Sequence, residues 1–255
     1  MKNNDKVISV TQREQRNDFT KRLLKKYLHA GMNVLDVGCG NGEISFLAAD
    51  VVGKTGSVVG VDLNQAAITA ALAQQKAAQR ANISFLVADI NALTGHQYDA
   101  VFGRRVLMYQ AEPLHTMQTL KKQLKPGGIM VFQESDEIGS LLNDSKKFPV
   151  HIMAQNWIWE TVKREGGNTH IGSELYGLMK AAGMHVLDYC SEAILQTLES
   201  GSDLAWVVKV MQARMEALGI PVETKGLEDR LNKEMQKADH AFIRDLAFGI
   251  CAQNL

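Results

Sequence analysis

Two patterns of hydrophobic residues alternate along the first half of the chain. Short runs of β-branched and aliphatic residues, typical of buried strands, lie at 33–37, 57–61, 83–87, 98–102 and 129–133. Between them are longer stretches in which apolar residues recur every three or four positions, at 43–52, 65–79 and 114–124. Continuous apolar strands joined by helices favour a parallel sheet covered on both faces. The pattern therefore predicts a doubly wound α/β core over residues 30–135.

The alternation changes after residue 134. Helical patterns predominate there, at 148–163, 171–182, 204–218 and 227–237, and strand character returns at 184–194 and 241–252. We expect a mostly parallel, seven-stranded sheet with helical insertions at 140–168 and 197–238, after its fifth and sixth strands. Residues 1–255 are predicted to form a single domain.

The N-terminal segment, residues 1–30, is predicted to be helical. Phe19, Leu23 and Leu24 fall at helical spacing, and Thr11 and Glu14 have the spacing of a capping box. A leading helix with one apolar face is therefore expected before the first strand.

Composition limits the classes of protein to which the chain can belong. Its 255 residues are 45% hydrophobic and 22% charged, which is average for a folded globular chain and excludes disordered and collagen-like proteins. The 28 Lys and Arg residues equal the 28 Asp and Glu residues, so the basic field typical of nucleic-acid-binding proteins is missing. We expect a small-molecule partner and no nucleic acid, and the sequence leaves the oligomeric state open.

The cysteines and the absence of long apolar runs indicate the cellular compartment of the protein. Cys39, Cys190 and Cys251 are too few and too scattered for a disulfide framework, and no CxxC pair indicates a metal site. Residues 1–10 lack the apolar core of a signal peptide, and no apolar run is long enough to cross a bilayer. These features predict a cytoplasmic protein without a membrane span and without a metal.

A glycine-rich turn is the first candidate for chemistry. The stretch VLDVGCGNG at residues 34–42 is a predicted strand that runs into a loop and then a helix. Glycines let the backbone turn sharply and approach a ligand closely, and ligands of open α/β sheets bind at the carboxyl ends of the strands. The GxGxG spacing differs from the GxGxxG of dinucleotide-binding loops, so the loop alone leaves both a ligand site and a plain tight turn open.

Acidic residues at the ends of the next two strands favour a ligand. Asp62 ends the second strand, where a carboxylate can accept hydrogen bonds from both ribose hydroxyls. Asp89 follows the third strand, where it can accept a hydrogen from an adenine amino group. The fourth strand runs into Gly103, Arg104 and Arg105. Because all four loops converge on one edge of the sheet, they predict a nucleoside site there.

Together these motifs resemble those of class I S-adenosylmethionine-dependent methyltransferases. The matching stretches are DVGCGNG at 36–42, VDL at 61–63, ADI at 88–90, VLMY at 106–109 and LKPGG at 124–128. The resemblance covers about residues 11–194 and is closest to bacterial small-molecule enzymes of the group that includes quinone-biosynthesis methyltransferases. It implies a Rossmann-like methyltransferase fold, S-adenosylmethionine as cofactor and transfer of its methyl group to a small molecule. The insertions would then form a lid over the substrate.

The resemblance also implies a role for individual positions around the cofactor. Gly38 and Gly40 would border its methionine half, and Asp36 would hold the loop or reach the methionine ammonium through water. Asp62 would bind the ribose, and Gly103 and Arg104 would contact the methionine end. The adenine would be contacted by Leu63, Asp89 and Ile90. Either Arg104 or Arg105 would reach the carboxylate of the cofactor or an acidic group of the substrate.

A hydroxyl acceptor needs a base within reach. Glu134, at the end of the fifth strand, is the preferred candidate because the strand ends face the predicted pocket, and Gln133 lies beside it. His115, His151 and Tyr109 are alternatives, each more simply interpreted as a surface or packing residue. Cys39 in the glycine loop is interpreted as a small packing residue and not as a nucleophile. Apolar residues of the insertions are interpreted mainly as core, with some free to line an acceptor pocket, namely Met153, Trp157, Trp159, Trp206, Met211 and Met215.

Two other functions stay open on the sequence alone. One is a protein that keeps the cofactor pocket only as a ligand sensor or scaffold. The other is an NAD-dependent oxidoreductase, which accounts for the glycine loop and Asp62 but predicts GxGxxG spacing and leaves the acid at Asp89 unexplained.

Overall fold

A seven-stranded sheet forms the centre of the protein in a computed structural model, which describes residues 10–95 and 97–255 and the side chains from Asn17 onward. The predicted capping box at Thr11 lies outside the described side chains. The strands are β1 (Asn33–Val37), β2 (Ser57–Asp62), β3 (Ile83–Val87), β4 (Tyr98–Arg104), β5 (Leu124–Asp136), β6 (His185–Gln196) and β7 (Phe242–Gln253). The helices are α1 (Val10–Tyr27), α2 (Glu43–Val52), α3 (Gln65–Ala77), α4 (Pro113–Lys121), α5 (Pro149–Arg164), α6 (Ile171–Ala181), α7 (Leu204–Ala217) and α8 (Leu227–Ala238).

The sheet has the strand order β3-β2-β1-β4-β5-β7-β6. Strands β1 to β5 pair in parallel, and β7 pairs antiparallel with both β5 and β6. The predicted mostly parallel, doubly wound, Rossmann-like sheet is therefore confirmed. Its strand order reverses between β1 and β4, which is the place where open α/β sheets form a ligand crevice.

One boundary prediction was wrong. The helix expected to run to residue 124 ends at Lys121, and β5 already begins at Leu124. Beside β4 the register is irregular, with Leu124 opposite Tyr98 but Ile129 opposite Ala100. The residues between, among them Pro126 and Gly127 with a φ of 77°, bulge out of the ladder because proline lacks an N–H to donate.

Each face of the sheet is covered by its own apolar cluster. On one face Leu24 and Leu28, from α1 and the residue just after it, pack with the helices α2 and α3, so the predicted leading helix belongs to the core. On the other face α4 and α6 pack over Val101 and Phe132. Both clusters are built from buried side chains, as a sheet covered on both sides requires.

The helices α5, α7 and α8 share a third apolar cluster. Met211 and Met215 of α7 are buried in it, and Trp157 of α5 is partly buried against it. Trp159 instead packs into the cluster of the main sheet. The three helices thus form a layer of their own that α5 joins to the sheet.

Within the residues that the structure describes, no helix is long and apolar enough to cross a membrane. In the same part of the chain, no three His, Cys, Asp or Glu side chains group as metal ligands do. All three cysteines are free thiols.

Candidate functional site

The loops after β1, β2, β3 and β4 lie side by side at the carboxyl edge of the sheet. Val37 and Gly103 are paired at the last position of the β1–β4 ladder, where the strand order reverses. Cys39 donates its backbone N–H to Val61 of β2 at 3.0 Å, and Ala88 donates to the carbonyl of Asp62 at 3.1 Å. The predicted convergence of the four loops is therefore present.

The glycine loop has the backbone geometry that its sequence predicts. Gly38, Gly40 and Gly42 have φ values of 63°, 54° and 86°, which side chains rarely tolerate. A Cβ at Gly38 would lie 2.5 Å from Cγ2 of Val106, so a methyl group has no room there. A Cβ at Gly40 would meet no atom within 4 Å, which leaves the space above this residue open.

Asp62 connects the glycine loop to the start of the next helix. Its Oδ2 accepts the backbone N–H of Gly40 at 2.8 Å, and its Oδ1 accepts that of Asn64 at 2.8 Å. The Asn64 side chain in turn caps α3. Because each carboxylate oxygen has a second lone pair, both can still accept a hydrogen from a bound hydroxyl.

The residues predicted to face adenine lie at the same edge of the sheet, in the loops after β2 and β3. Leu63 is 70% exposed, which is unusual for a leucine, and the Asp89 side chain is also exposed. Ile90 is buried, and Asp89 Oδ1 accepts the backbone N–H of Asn91 at 2.8 Å. The structure thus places an exposed apolar side chain and an exposed acid on adjacent loops, as an adenine contact requires.

A cavity of about 160 Å³ opens at the glycine loop. Its wall is lined by Asp36, Gly38, Cys39, Gly40, Asn41, Glu43, Ile44 and Arg104. Three charged side chains, two acidic and one basic, therefore surround a space bordered by glycine backbone. Asp62 and Asp89 lie outside this wall.

Arg104 is held in the cavity by side chains that the sequence did not suggest. Its guanidinium donates to Oδ1 of Asn17 at 2.7 Å and lies 3.6 Å from Glu43 Oε2. Asn17 also donates to Glu43 Oε1 at 2.9 Å. Asn17 belongs to α1 and is buried. Its position two helical turns before Leu24, on the apolar face of the helix, is the sequence signal that could have revealed it.

Two groups at the base of the loop have strongly shifted pKa values. Burial raises the pKa of Asp36 to about 7, although a hydrogen bond from Ser45 and the charge of Arg104 lower it. Burial, together with the charges of Asp36 and Asp62, raises the pKa of the Cys39 thiol far above its ordinary value. Cys39 is therefore a protonated packing residue, in agreement with its interpretation from the sequence.

Glu134 is fully buried behind the loop that follows β4. Its Oε1 accepts the backbone N–H groups of Val106 and Leu107, each at 2.9 Å, and so holds the start of the 3₁₀ turn Leu107–Tyr109. Its Oε2 is buried and has no hydrogen-bond partner among the described residues. Burial raises the pKa of Glu134 to about 7 despite these backbone hydrogen bonds.

Arg105 points away from the cavity that Arg104 lines. Its guanidinium donates to Ser135 Oγ at 2.9 Å and to Asp245 Oδ2 at 2.5 Å. The residue has a φ of 55°, a strained value for a non-glycine residue that is often found at functional loops. Of the two arginines, Arg104 is therefore the one next to the glycine loop.

The other candidate bases have surroundings of different kinds. His115 is exposed on α4, and Tyr109 is 45% exposed in the 3₁₀ turn. His151 is buried in the α5–α7–α8 layer, where its Nδ1 lies 2.5 Å from Glu234 Oε2. The Gln133 side chain accepts the hydroxyl hydrogen of Thr20 at 2.5 Å. Of these candidates, Glu134 is the one whose side chain accepts backbone N–H groups of the loop after β4, which borders the glycine turn.

The site fits the groups of S-adenosylmethionine. The open space at Gly40 admits a ligand against bare backbone, and the cavity beside it offers Arg104 for a carboxylate and Asp36 and Glu43 for an ammonium. Asp62, just outside, has free lone pairs for ribose hydroxyls. The loops that carry Arg104, Gly40, Asp62 and Asp89 follow one another in this order along the sheet edge.

Comparisons with known proteins agree with this fit. Residues 28–183 match the family described as methyltransferase domain. A curated relative, ubiquinone biosynthesis O-methyltransferase of Cereibacter sphaeroides, is 28% identical over 181 residues, which cover 67% of this chain and 67% of that protein.

Solved structures share the fold. A SAM-dependent methyltransferase from Aquifex aeolicus has a TM-score of 0.58 and 19% identity, with 96% of this chain and 93% of that chain covered. Phosphoethanolamine N-methyltransferase 2 of Haemonchus contortus, solved with phosphomonomethylethanolamine and S-adenosylhomocysteine, has a TM-score of 0.58 and 19% identity. The match covers 93% of this chain and 52% of that one. This chain belongs to the methyltransferase-domain family and is a class I S-adenosylmethionine-dependent methyltransferase.

Proposed function

We propose that this protein transfers a methyl group from S-adenosylmethionine to an oxygen, nitrogen or carbon atom of a small molecule in the cytoplasm. The observation that carries the proposal is the hydrogen bond between Gly40 and Asp62 beside the cavity that Arg104 and Asp36 line. Relatives named for oxygen and nitrogen methylation support a small acceptor. The balanced charge of the chain argues against a nucleic-acid substrate.

The methionine end of the cofactor would lie in the cavity. Arg104 would bind its carboxylate, and Gly38, Gly40 and Gly103 would present backbone to it. Asp36 would stabilise its ammonium, directly or through water. The support for these roles is the lining of the cavity and the absence of space for any side chain at Gly38 and Gly103.

The nucleoside would lie along the rim. Asp62 would accept hydrogen bonds from both ribose hydroxyls while it keeps its bonds to the backbone. Leu63 and Ile90 would contact the two sides of the adenine, and Asp89 would accept a hydrogen from its amino group. The 70% exposure of Leu63 supports this, because a bound ring would cover it.

Geometry accounts for most of the catalysis that the residues must provide. When bound, S-adenosylmethionine supplies a methyl group already activated by a sulfonium. The residues around Gly38 and Arg104 fix its position, and alignment of this kind can lower a barrier by about 7 to 11 kcal/mol. Exclusion of water strengthens the effect.

Glu134 is our proposed base for an acceptor that must lose a proton. Its Oε2 has no competing hydrogen bond among the described residues, and a pKa of about 7 suits a base that works near neutral pH. Its Oε1 would meanwhile keep the 3₁₀ turn in place through Val106 and Leu107.

The layer of α5, α7 and α8 is our proposed lid within a single domain. These helices follow β5 and β6, whose carboxyl ends lie at the same edge of the sheet as the glycine loop. They share an apolar cluster of their own, which Trp159 of α5 and Phe242 of β7 connect to the sheet. The insertions 140–168 and 197–238 would in this way exclude water and line the acceptor site.

The test is the formation of S-adenosylhomocysteine by the full chain. The protein is incubated with labelled S-adenosylmethionine and fractionated metabolite extracts, and the label and S-adenosylhomocysteine are followed by mass spectrometry. We expect both to appear with one class of fraction and to fall markedly, at subsaturating cofactor, when Asp62 is replaced by Ala. Tight binding of the cofactor without turnover in any extract would instead favour the sensor or scaffold.

A further inference from the structure

A second cavity lies away from the glycine loop, between the N-terminal end of α5, the helix α8 and residues 144–148. Its volume is about 480 Å³, within the range of sites for small molecules and three times that of the cavity at Gly40. Its wall consists of Lys146, Lys147, Pro149, Val150, Arg230, Lys233, Glu234, Lys237 and Ala238. Five of these residues are cationic and one is acidic.

The single acid of the wall does not neutralise the cations. Glu234 Oε1 accepts the backbone N–H of Val150 at 2.7 Å, and its Oε2 accepts that of His151 at 2.8 Å and lies 2.5 Å from Nδ1 of the same histidine. Its charge is thus directed to the first turn of α5. The same contacts occupy N–H groups at the start of that helix, so the positive field of the cavity comes from side chains.

Lys147 donates a hydrogen bond to the side chain of His240. The Nδ1 of His240 lies 2.6 Å from the carbonyl of Ala238 and donates to it, which leaves Nε2 to accept from Lys147 Nζ at 2.5 Å. Glu223, which is exposed, forms an ion pair with Arg230 at 3.6 Å, and Asp144 accepts the backbone N–H of Lys146. The charge excess of the cavity therefore comes from its lysines.

Lys233 and Lys237 have no hydrogen-bond or ion-pair partner among the described residues, and both are exposed. They lie one turn apart on α8, and Arg230 precedes them by another turn, so the three form one face of the helix. In a chain whose charges balance overall, such a concentration is local. A cleft lined by one sign of charge focuses its field and attracts counter-ions.

We propose that this cavity binds a small phosphorylated molecule. Lysine ammonium groups are compact charges with several donors each and suit the oxygens of a phosphate. The volume exceeds that of a single ion, and Pro149, Val150 and Ala238 supply an apolar wall for the rest of the ligand. The phosphate can come from a free metabolite or from a lipid headgroup, and the exposed Leu141 and Leu142 just before Lys146 would help to hold a lipid.

Two arms of one experiment separate these sources. Inorganic pyrophosphate is titrated into the full chain by calorimetry at two salt concentrations, and vesicles with and without phosphatidylglycerol are tested by flotation. The variant is Lys233→Gln/Lys237→Gln, which keeps good helix formers on α8. The matched control is Lys54→Gln/Lys76→Gln, which removes the same charge from exposed positions outside the cavity.

We expect saturable binding that is weakened by salt, at least tenfold loss of affinity in the α8 variant and no change in the control. Binding to pyrophosphate indicates a free phosphorylated metabolite, and binding only to phosphatidylglycerol vesicles indicates a lipid headgroup. Binding to neither probe, or an equal loss in the control variant, would overturn the proposal. Because neither pair of lysines belongs to the cofactor site, S-adenosylhomocysteine affinity must stay at the wild-type value in all variants, which separates this test from that of the methyltransferase function.

Discussion

The backbone N–H of Gly40 and the carboxylate of Asp62 are joined by a hydrogen bond of 2.8 Å that connects the loops after β1 and β2. The second oxygen of the same carboxylate holds the N–H of Asn64, just before α3. One side chain thus fixes two loops and, in our proposal, also binds the ribose.

Replacement of Asp62 by Ala is expected to weaken S-adenosylhomocysteine binding by one to two orders of magnitude, roughly 1.4 to 2.8 kcal/mol. Isothermal titration calorimetry measures this directly. Asp62→Asn separates the two roles, since an amide oxygen can still accept one backbone N–H but the side chain no longer offers two anionic oxygens to a ribose. If Asp62→Asn restores full affinity, the residue holds the loop without binding the ribose.

Gly38 and Val106 permit a test of the close approach between the glycine loop and the loop after β4. An added methyl group at Gly38 would clash with Val106 and would also adopt a φ of 63°. Gly38→Ala should therefore lower the free energy of unfolding for two reasons. The left-handed backbone costs about 1–2 kcal/mol, and the clash with Val106 costs about 1–3 kcal/mol more. The variant should also lose cofactor binding.

Gly226→Ala is the matched control for that substitution. Gly226 has a left-handed backbone with a φ of 64°, and a Cβ there would meet no atom within 4 Å, so the variant should show the strain alone. Urea denaturation of both variants, and of the double variant Gly38→Ala/Val106→Ala, measures the difference. Equal destabilisation of Gly38→Ala and Gly226→Ala, or no recovery in the double variant, would contradict a clash with Val106.

The positions of the strands along the chain and the cofactor motifs were predictable from local sequence, because each depends on a short stretch. The apolar run 33–37 and the glycines that follow define both β1 and the loop, and Asp62 ends its strand as the pattern indicates. What the sequence did not reveal depends on contacts between distant residues. Asn17 reaches Arg104 across 87 positions of the chain.

The same limit applies to Glu134 and to the lysine cavity. The pattern predicted the end of the fifth strand at Glu134, and β5 continues two residues further to Asp136. The two hydrogen bonds of Glu134 to the loop after β4 were not visible in the sequence. A zero net charge concealed the local excess of cations, because Lys146 and Lys233 approach each other only when α8 packs against the start of α5. Overall charge describes the average surface and not a single cleft.

The buried Asp36 should make the stability of the protein depend on pH. Because its pKa is raised from 3.8 to about 7 in the folded state, the folded protein binds a proton that the unfolded chain releases between these values. Stability from this group is therefore fully present below about pH 4 and is lost as the pH rises through about 7.

Asp36→Asn removes that dependence while it keeps an oxygen that can accept the Ser45 hydroxyl. Urea denaturation at pH 5 and pH 8 should show a smaller loss of stability in the variant, although Glu134 adds a loss of the same sign in both proteins. Exposed Asp229→Asn serves as the control and should leave the wild-type difference unchanged. An undiminished loss in Asp36→Asn would show that Asp36 is ionised throughout.

Glu134 offers the sharpest test of the proposed chemistry, because its two oxygens have separate tasks. In Glu134→Gln the amide oxygen can still accept the N–H groups of Val106 and Leu107, so the loop should stay in place and S-adenosylhomocysteine affinity should be unchanged. The base, however, is lost. With an acceptor identified from the extracts, kcat should fall by about 10² to 10⁴.

The pH profile distinguishes a base from a residue that only positions the loop. In the wild type kcat should rise with pH through about 7, as the Glu134 carboxyl ionises, and this step should be missing in Glu134→Gln. Glu134→Ala, which also removes the contacts to the loop, should in addition lose cofactor affinity. A Glu134→Gln enzyme with wild-type kcat and the same pH profile would leave Glu134 a structural residue and require that the acceptor lose its proton to another group or to water.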